Sequence, residues 1–189
     1  MTVRESGLAV SSELSRLLEE VDESRVTALE GKLQAARRVF TAGAGRSGLM
    51  MRAFAMRLMH LGLDVHVVGD ATTPSLTVGD LLVIGSGSGE TASLQGQARK
   101  ARQLGAEVAL ITIVPDSTIG NLADPVIRRR APSPKAARGR GEPAAASIQP
   151  MGSLFEQGLL LLLDIIVMRM AVAGGITSEQ MFQRHANLE

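Results

Sequence analysis

The chain has 189 residues, 45% of them hydrophobic and 21% charged, a composition that describes one globular domain or one domain with extensions. A formal net charge of +1 supplies no global field for nucleic acid or an anionic membrane, and 2% aromatics with no Trp or Tyr leave no platforms for stacking bases. Cysteine is absent, which excludes disulfides and thiolate metal sites and fits a reducing cytoplasm.

The first residues, MTVRESGLAVSSELSRLLEEVDESR, are charged and amphipathic and lack the apolar core of a signal peptide. Apolar positions at Leu14, Leu17, Leu18 and Val21, then at Val26, Leu29 and Leu33, predict one or two amphipathic helices. We read residues 1–38 as a helical extension leading into the domain. Val39–Ala42 is a β-prone run ending in glycines, and residues 48–61 return to helical character. The alternation then repeats, with strands expected at 65–68, 80–84, 108–114 and 125–127 and a helix over 91–104. Continuous apolar strands joined by helices indicate an α/β fold, a parallel sheet covered on both faces, with ligands bound beyond the carboxyl ends of the strands.

Residues 131–146, APSPKAARGRGEPAAA, show no apolar periodicity and read as a flexible surface loop. A strongly apolar helix follows over 153–170. Its greasiest part, Gly158–Met168, is broken by Asp164 and falls short of the roughly 20 apolar residues of a membrane span, so it reads as buried. A polar tail, SEQMFQRHANLE, fills 178–189.

Two glycine loops carry the chemistry. The first, VFTAGAGRSG, matches G-x-G-x-x-G at Gly43, Gly45 and Gly48, and Asp70 lies near where a dinucleotide fold places its ribose-binding acid. Against a nicotinamide reading stand the lack of length for a separate substrate domain and a second loop of similar character. That loop, Gly85-Ser86-Gly87-Ser88-Gly89-Glu90-Thr91, interleaves glycines with hydroxyls and runs into a helix. Its N–H groups and positive dipole end favour a phosphate. Neither loop is a Walker P-loop, so a small phosphorylated molecule is the expected ligand.

GAGRSGLMMRAFAMRLMHLG at 43–62, DLLVIGSGSGET at 80–91, SIQPMGSLFE at 147–156 and the closing RHANLE together resemble the sugar isomerase (SIS) domain family, and within it the 6-phospho-3-hexuloisomerases. The resemblance covers nearly the whole chain, read as a single SIS domain. It implies a flavodoxin-like, three-layer fold with a five-stranded parallel sheet, usually assembled as a homotetramer. It further implies interconversion of D-arabino-3-hexulose 6-phosphate and fructose 6-phosphate without cofactor or metal, the second step of formaldehyde fixation by the ribulose monophosphate route. Two departures stand out. The 131–146 segment matches nothing expected of the family, and Gly85 stands where a larger apolar residue is expected.

Such a reaction needs a base to take the proton at C2 and return it at C3, and a donor to stabilise the enediolate oxygen. Glu156, at the start of the apolar helix, is the candidate base, set against the plain reading of a first-turn acid favoured by the dipole. The resemblance implies that His185 in the tail assists ring opening or shuttles protons, often in the site of an adjacent subunit. Arg46 would contact substrate, and Gly45, Ser47, Ser86, Gly87, Ser88 and Thr91 would hold it or its phosphate. Glu90 should cap a helix or meet a sugar hydroxyl. His60, near a helix end, and His66, in a strand, read as structural, and the Met50–Met59 helix reads as core or subunit packing. The competing functions are an arabinose 5-phosphate isomerase on the same scaffold and a non-catalytic sugar-phosphate sensor.

Overall fold

The computed structural model describes residues 1–132 and 146–188. Helices α1 (Val3–Glu19) and α2 (Glu23–Ala35) precede β1 (Val39–Gly43) and α3 (Gly45–Leu61). Then come β2 (Val65–Val67), β3 (Leu81–Gly85), α4 (Ala92–Gln103), β4 (Glu107–Thr112), β5 (Val126–Arg128), α5 (Ser153–Ala173) and α6 (Ser178–Phe182). All four strand pairings are parallel, in the order β2-β1-β3-β4-β5. This is the flavodoxin order, in which the chain leaves β1 to one side and returns on the other, so that a crevice opens at the carboxyl ends of β1 and β3.

The expected strands are found within one or two residues of their predicted bounds, and the 131–146 segment lies, apart from its ends, outside the described residues. The largest boundary differences are three residues: α5 runs on to Ala173 rather than 170, and α3 begins at Gly45 rather than Gly48. Three glycines in six residues argue against helix on propensity alone, but packing overrides it. A Cβ on Gly43 would stand 2.9 Å from the Gly48 Cα and N, and one on Gly48 would stand 2.8 Å from the Gly43 carbonyl oxygen. The spacing that resembles a dinucleotide fingerprint here lets the end of β1 touch the first turn of α3.

The sheet faces are unequally covered. On one, Val39, Leu81, Val83, Ala109, Ile111 and Ile127 pack in a core shared with α1, α2, α3 and α5. On the other, Phe40, Ala42, Leu82, Ile84, Val108 and Leu110 meet Leu94, Ala98 and Ala101 of α4. The N-terminal helices are thus part of the fold's main core, through Leu17, Val26, Leu29 and Leu33. In α5 the apolar run is buried on one side, while Leu161, Asp164, Met168 and Val172 form an outer stripe. No helix among the described residues is long and apolar enough to cross a membrane.

Candidate active site

Three helices, α3, α4 and α5, open onto the crevice at the carboxyl ends of β1 and β3. Their N-cap residues, Ala44, Thr91 and Gly152, make no side-chain capping bond. Ala44 and Gly152 have no polar side chain to offer, and Thr91 leaves its hydroxyl unused. The first-turn N–H groups of all three helices therefore lack intrahelical partners at one place. Between them lies a cavity of about 230 Å³. Gly45, Arg46, Ser47, Ser86, Gly87, Ser88, Thr91 and Glu156 all line it; of the residues expected at the site, only His185 is elsewhere.

The second loop is shaped by its own hydroxyls. Ser86 Oγ accepts from the Gly89 N–H at 3.2 Å, and Ser88 Oγ accepts from the Glu90 N–H at 3.2 Å. Each hydroxyl proton stays available for a ligand. Gly89 has φ +63°, and a Cβ there would fall 2.0 Å from Ser117 Oγ, so no other residue fits the turn. Glu90 neither caps α4 nor lines the cavity. Its carboxylate accepts from the Thr118 N–H and Oγ1 at 2.6 and 2.8 Å and from Gln95 Nε2 at 2.7 Å. An acid is unfavourable beside a phosphate; this one instead ties the loop to the neighbouring turn. Gly85 is accounted for by packing: a Cβ would stand 2.7 Å from Met51 Sδ and 2.9 Å from Leu159 Cδ2. The volume of a larger residue is taken by those two side chains.

Glu156 sits in the first turn of α5, where the helix dipole favours an anion, and its side chain is only 18% exposed. A carboxylate at that depth needs a partner, and Arg46 supplies one: its Nε lies 2.5 Å from Glu156 Oε2. The Arg46 side chain is 59% exposed and lines the cavity while holding the acid. Sequence reasoning missed Met151, a cavity-lining residue with φ +59°. Left-handed backbone at a non-glycine residue is unusual and collects at functional sites. The flanking Pro150 and Gly152 signal a turn, but not which residue takes the positive φ. Phe155, buried at the cavity wall, was also missed; in sequence it is one more apolar residue of α5.

His185 lies at the opposite end of α3. Its ring stacks on His60 at 5.4 Å and on Phe182 at 5.9 Å. From Arg46 to His60 the helix climbs about 21 Å, so the chain's own fold keeps His185 and Glu156 apart. The tail is seated there by Arg184, whose Nη1 donates to the His60 carbonyl at 3.1 Å. His60 is 2% exposed, with Arg57 Nη1 3.3 Å from its Nδ1. Burial, then the Arg57 and His185 charges, holds its pKa below the ordinary imidazole value. His66 pairs with Asp64 at 3.0 Å and packs on Phe40. Asp70, the residue a ribose would need, is held by Arg52 at 2.7 and 3.3 Å. Among the described residues no three His, Asp or Glu side chains are grouped as a metal ion requires.

Residues 32–160 match the SIS domain family model. The chain is 46% identical over 180 residues to the 3-hexulose-6-phosphate isomerase of Bacillus subtilis (strain 168), covering 95% of each. It is 41% identical to the Mycobacterium gastri protein of the same name, covering 95% of this chain and 88% of that one. A Methanococcus jannaschii crystal structure, from which a molecular function of 3-hexulose-6-phosphate isomerase was inferred, superposes with TM-score 0.83 at 31% identity over 98% of this chain and 99% of that one. The chain therefore belongs to the SIS domain family, among the 3-hexulose-6-phosphate isomerases.

Proposed function

We propose that this protein interconverts D-arabino-3-hexulose 6-phosphate and fructose 6-phosphate through an enediolate. The observation that carries the reading is the pairing of a nearly enclosed carboxylate, Glu156, with a cavity-facing guanidinium, Arg46, in a crevice whose far wall is a hydroxyl-rich loop. Glu156 takes the proton from C2 of the 3-ketose and the C3 oxygen gathers the resulting charge; the C2 hydroxyl proton then passes to that oxygen, leaving the charge on O2, and Glu156 returns its proton to C3 as the carbonyl forms at C2. Arg46 releases Glu156 in part to meet the enediolate oxygen, a charge-assisted donor where negative charge develops. Ser47, Ser86, Ser88 and Thr91, with the backbone at Gly45 and Gly87, hold the phosphate or sugar hydroxyls against the open helix starts.

His185 serves the site of a neighbouring copy, because its own Glu156 stands at the far end of α3. The whole chain acts as one SIS domain in a cytoplasmic homo-oligomer, a tetramer by family resemblance. Supporting assembly, Leu49, Met56 and Met59 of α3 and Met168 and Val172 of α5 are exposed apolar side chains on two adjacent helices. A mixture of Glu156→Gln and His185→Ala subunits tests the composite site: recovered activity supports it, and no recovery argues against it.

The deciding experiment supplies D-arabino-3-hexulose 6-phosphate and reads fructose 6-phosphate through coupled enzymes, with arabinose 5-phosphate assayed in parallel. Turnover of the hexulose alone is the expected result. Turnover of the pentose alone would replace this reading with an aldose isomerase, and binding without turnover of either would replace it with a sensor.

A further inference from the structure

The segment from Ser147 to Gly158 carries both the strained Met151 and Glu156, and a single helix grips it at two points. On α1, Glu13 is 7% exposed, and its carboxylate accepts three hydrogen bonds from consecutive residues of the segment. These come from Ser147 Oγ at 2.9 Å, the Ile148 N–H at 2.9 Å and Gln149 Nε2 at 3.0 Å. Ser147 Oγ in turn accepts from the Gln149 N–H at 3.0 Å. One helical turn further along α1, Leu17 rests on Gly158 so closely that a Cβ there would fall 2.3 Å from Leu17 Cδ2. Between these grips the chain turns through Met151 at φ +59°, bonds Ser153 N–H to the Pro150 carbonyl at 3.2 Å, and starts α5.

Left-handed backbone at a residue with a Cβ persists only where its surroundings fix it. Here the fixing partners are buried and lie on an element that does not line the crevice at all. Burial alone would raise the Glu13 pKa, but the bonds from Gln149, Ile148 and Ser147, with the Arg16 charge, outweigh it and hold the carboxyl below its ordinary value. The acid thus remains an acceptor for all three donors at neutral pH.

We propose that Glu13 is a positioning residue for the isomerase site: it clasps residues 147–149, and with Leu17 it fixes the Met151 turn and the direction of Glu156 against Arg46. The inference rests on Glu156 acting as the base. Misplacing a reacting group by an ångström costs turnover far more than it costs binding, which the starts of α3 and α4 and the 85–91 loop supply independently.

The test uses full-length Glu13→Gln, which keeps the shape and replaces an acceptor-only carboxylate with an amide facing three donors. We expect kcat for hexulose phosphate to fall at least about tenfold with KM within about threefold. Amide exchange across 147–156 should quicken by about tenfold while α2 and the strands stay protected. Glu13→Gln combined with Glu156→Gln should be no slower than Glu156→Gln alone, since Glu13 acts through that base. Ser147→Ala, which removes one donor, should show the same pattern to a smaller degree and serves if Glu13→Gln does not fold. Wild-type kcat in folded Glu13→Gln or Ser147→Ala, with or without faster exchange, would overturn the proposal, as would a further loss in the double variant. Near-wild-type turnover of Glu156→Gln would remove the base assignment instead, and the exchange measurement would still decide whether Glu13 holds the segment.

Discussion

Helices α1, α2 and α6 begin with a side chain that closes the first turn, and helices α3, α4 and α5 begin with none. Thr2 and Thr177 form capping boxes with Glu5 and Gln180, and Asp22 accepts from the Ser24 and Arg25 N–H groups. An N-cap is worth about 1 kcal/mol, so three open starts forgo on the order of 3 kcal/mol that the same chain collects elsewhere. The open three are the ones that line the crevice. Stability has been left unused where a ligand's anionic group can complete the helices, and taken up where nothing binds.

Four measurements at Glu156, Thr91 and Asp22 can break the comparison. Glu156→Gln should lower turnover at least about a hundredfold while phosphate affinity changes little, because it removes the base and leaves the helix starts intact. Steady-state kinetics checks this, and near-wild-type turnover would reject Glu156. Thr91→Ala, at an N-cap that makes no capping bond, should raise KM about tenfold, roughly one charge-assisted hydrogen bond. Its melting temperature should stay within about a degree, and a clear fall would mean that Thr91 caps α4 after all. Asp22→Ala should do the reverse, lowering the melting temperature by about 2–4 °C with kcat/KM unchanged.

The smallest effect is a pH dependence. Hydrogen bonds from the Ser24 side chain and the Arg25 N–H hold the Asp22 carboxyl below its ordinary value of 3.8. Its contribution to stability is therefore present above about pH 4 and is lost as pH falls through the folded-state value. Thermal melts from pH 6 to 2 should show wild type and Asp22→Ala converging at the acid end. A constant gap would show that the cap does not depend on the charge.

Much of the site was legible before the fold. Ser86, Ser88 and Thr91 announce themselves because hydroxyls interleaved with glycines at a strand-to-helix junction have few uses other than holding an anion, and Glu156 stands out as an acid opening an apolar helix. Glu90 shows the limit. Its composition and position are those of a site residue, but Thr118 and Gln95, 28 and 5 residues away, decide where it points. Met151 and Glu13 were illegible for related reasons. The sign of a backbone angle is not written in residue type, and a lone acid on an amphipathic helix looks solvated until its three donors, more than 130 positions later, fold against it. Arg129 is a similar case: one arginine in a run of three, it is buried, with a pKa pushed down to about 10 by loss of water.

By itself the sequence determined the parallel α/β architecture, the two glycine loops and the residue types that face the crevice, because those follow from periodicity and turn chemistry over a few consecutive positions. Only the tertiary structure decided that the G-x-G-x-x-G spacing packs β1 on α3, that Arg46 meets Glu156, and that His185 is held at the other end of α3 from its own base. Each of these depends on contacts between residues distant in the chain, whose partners no local pattern names.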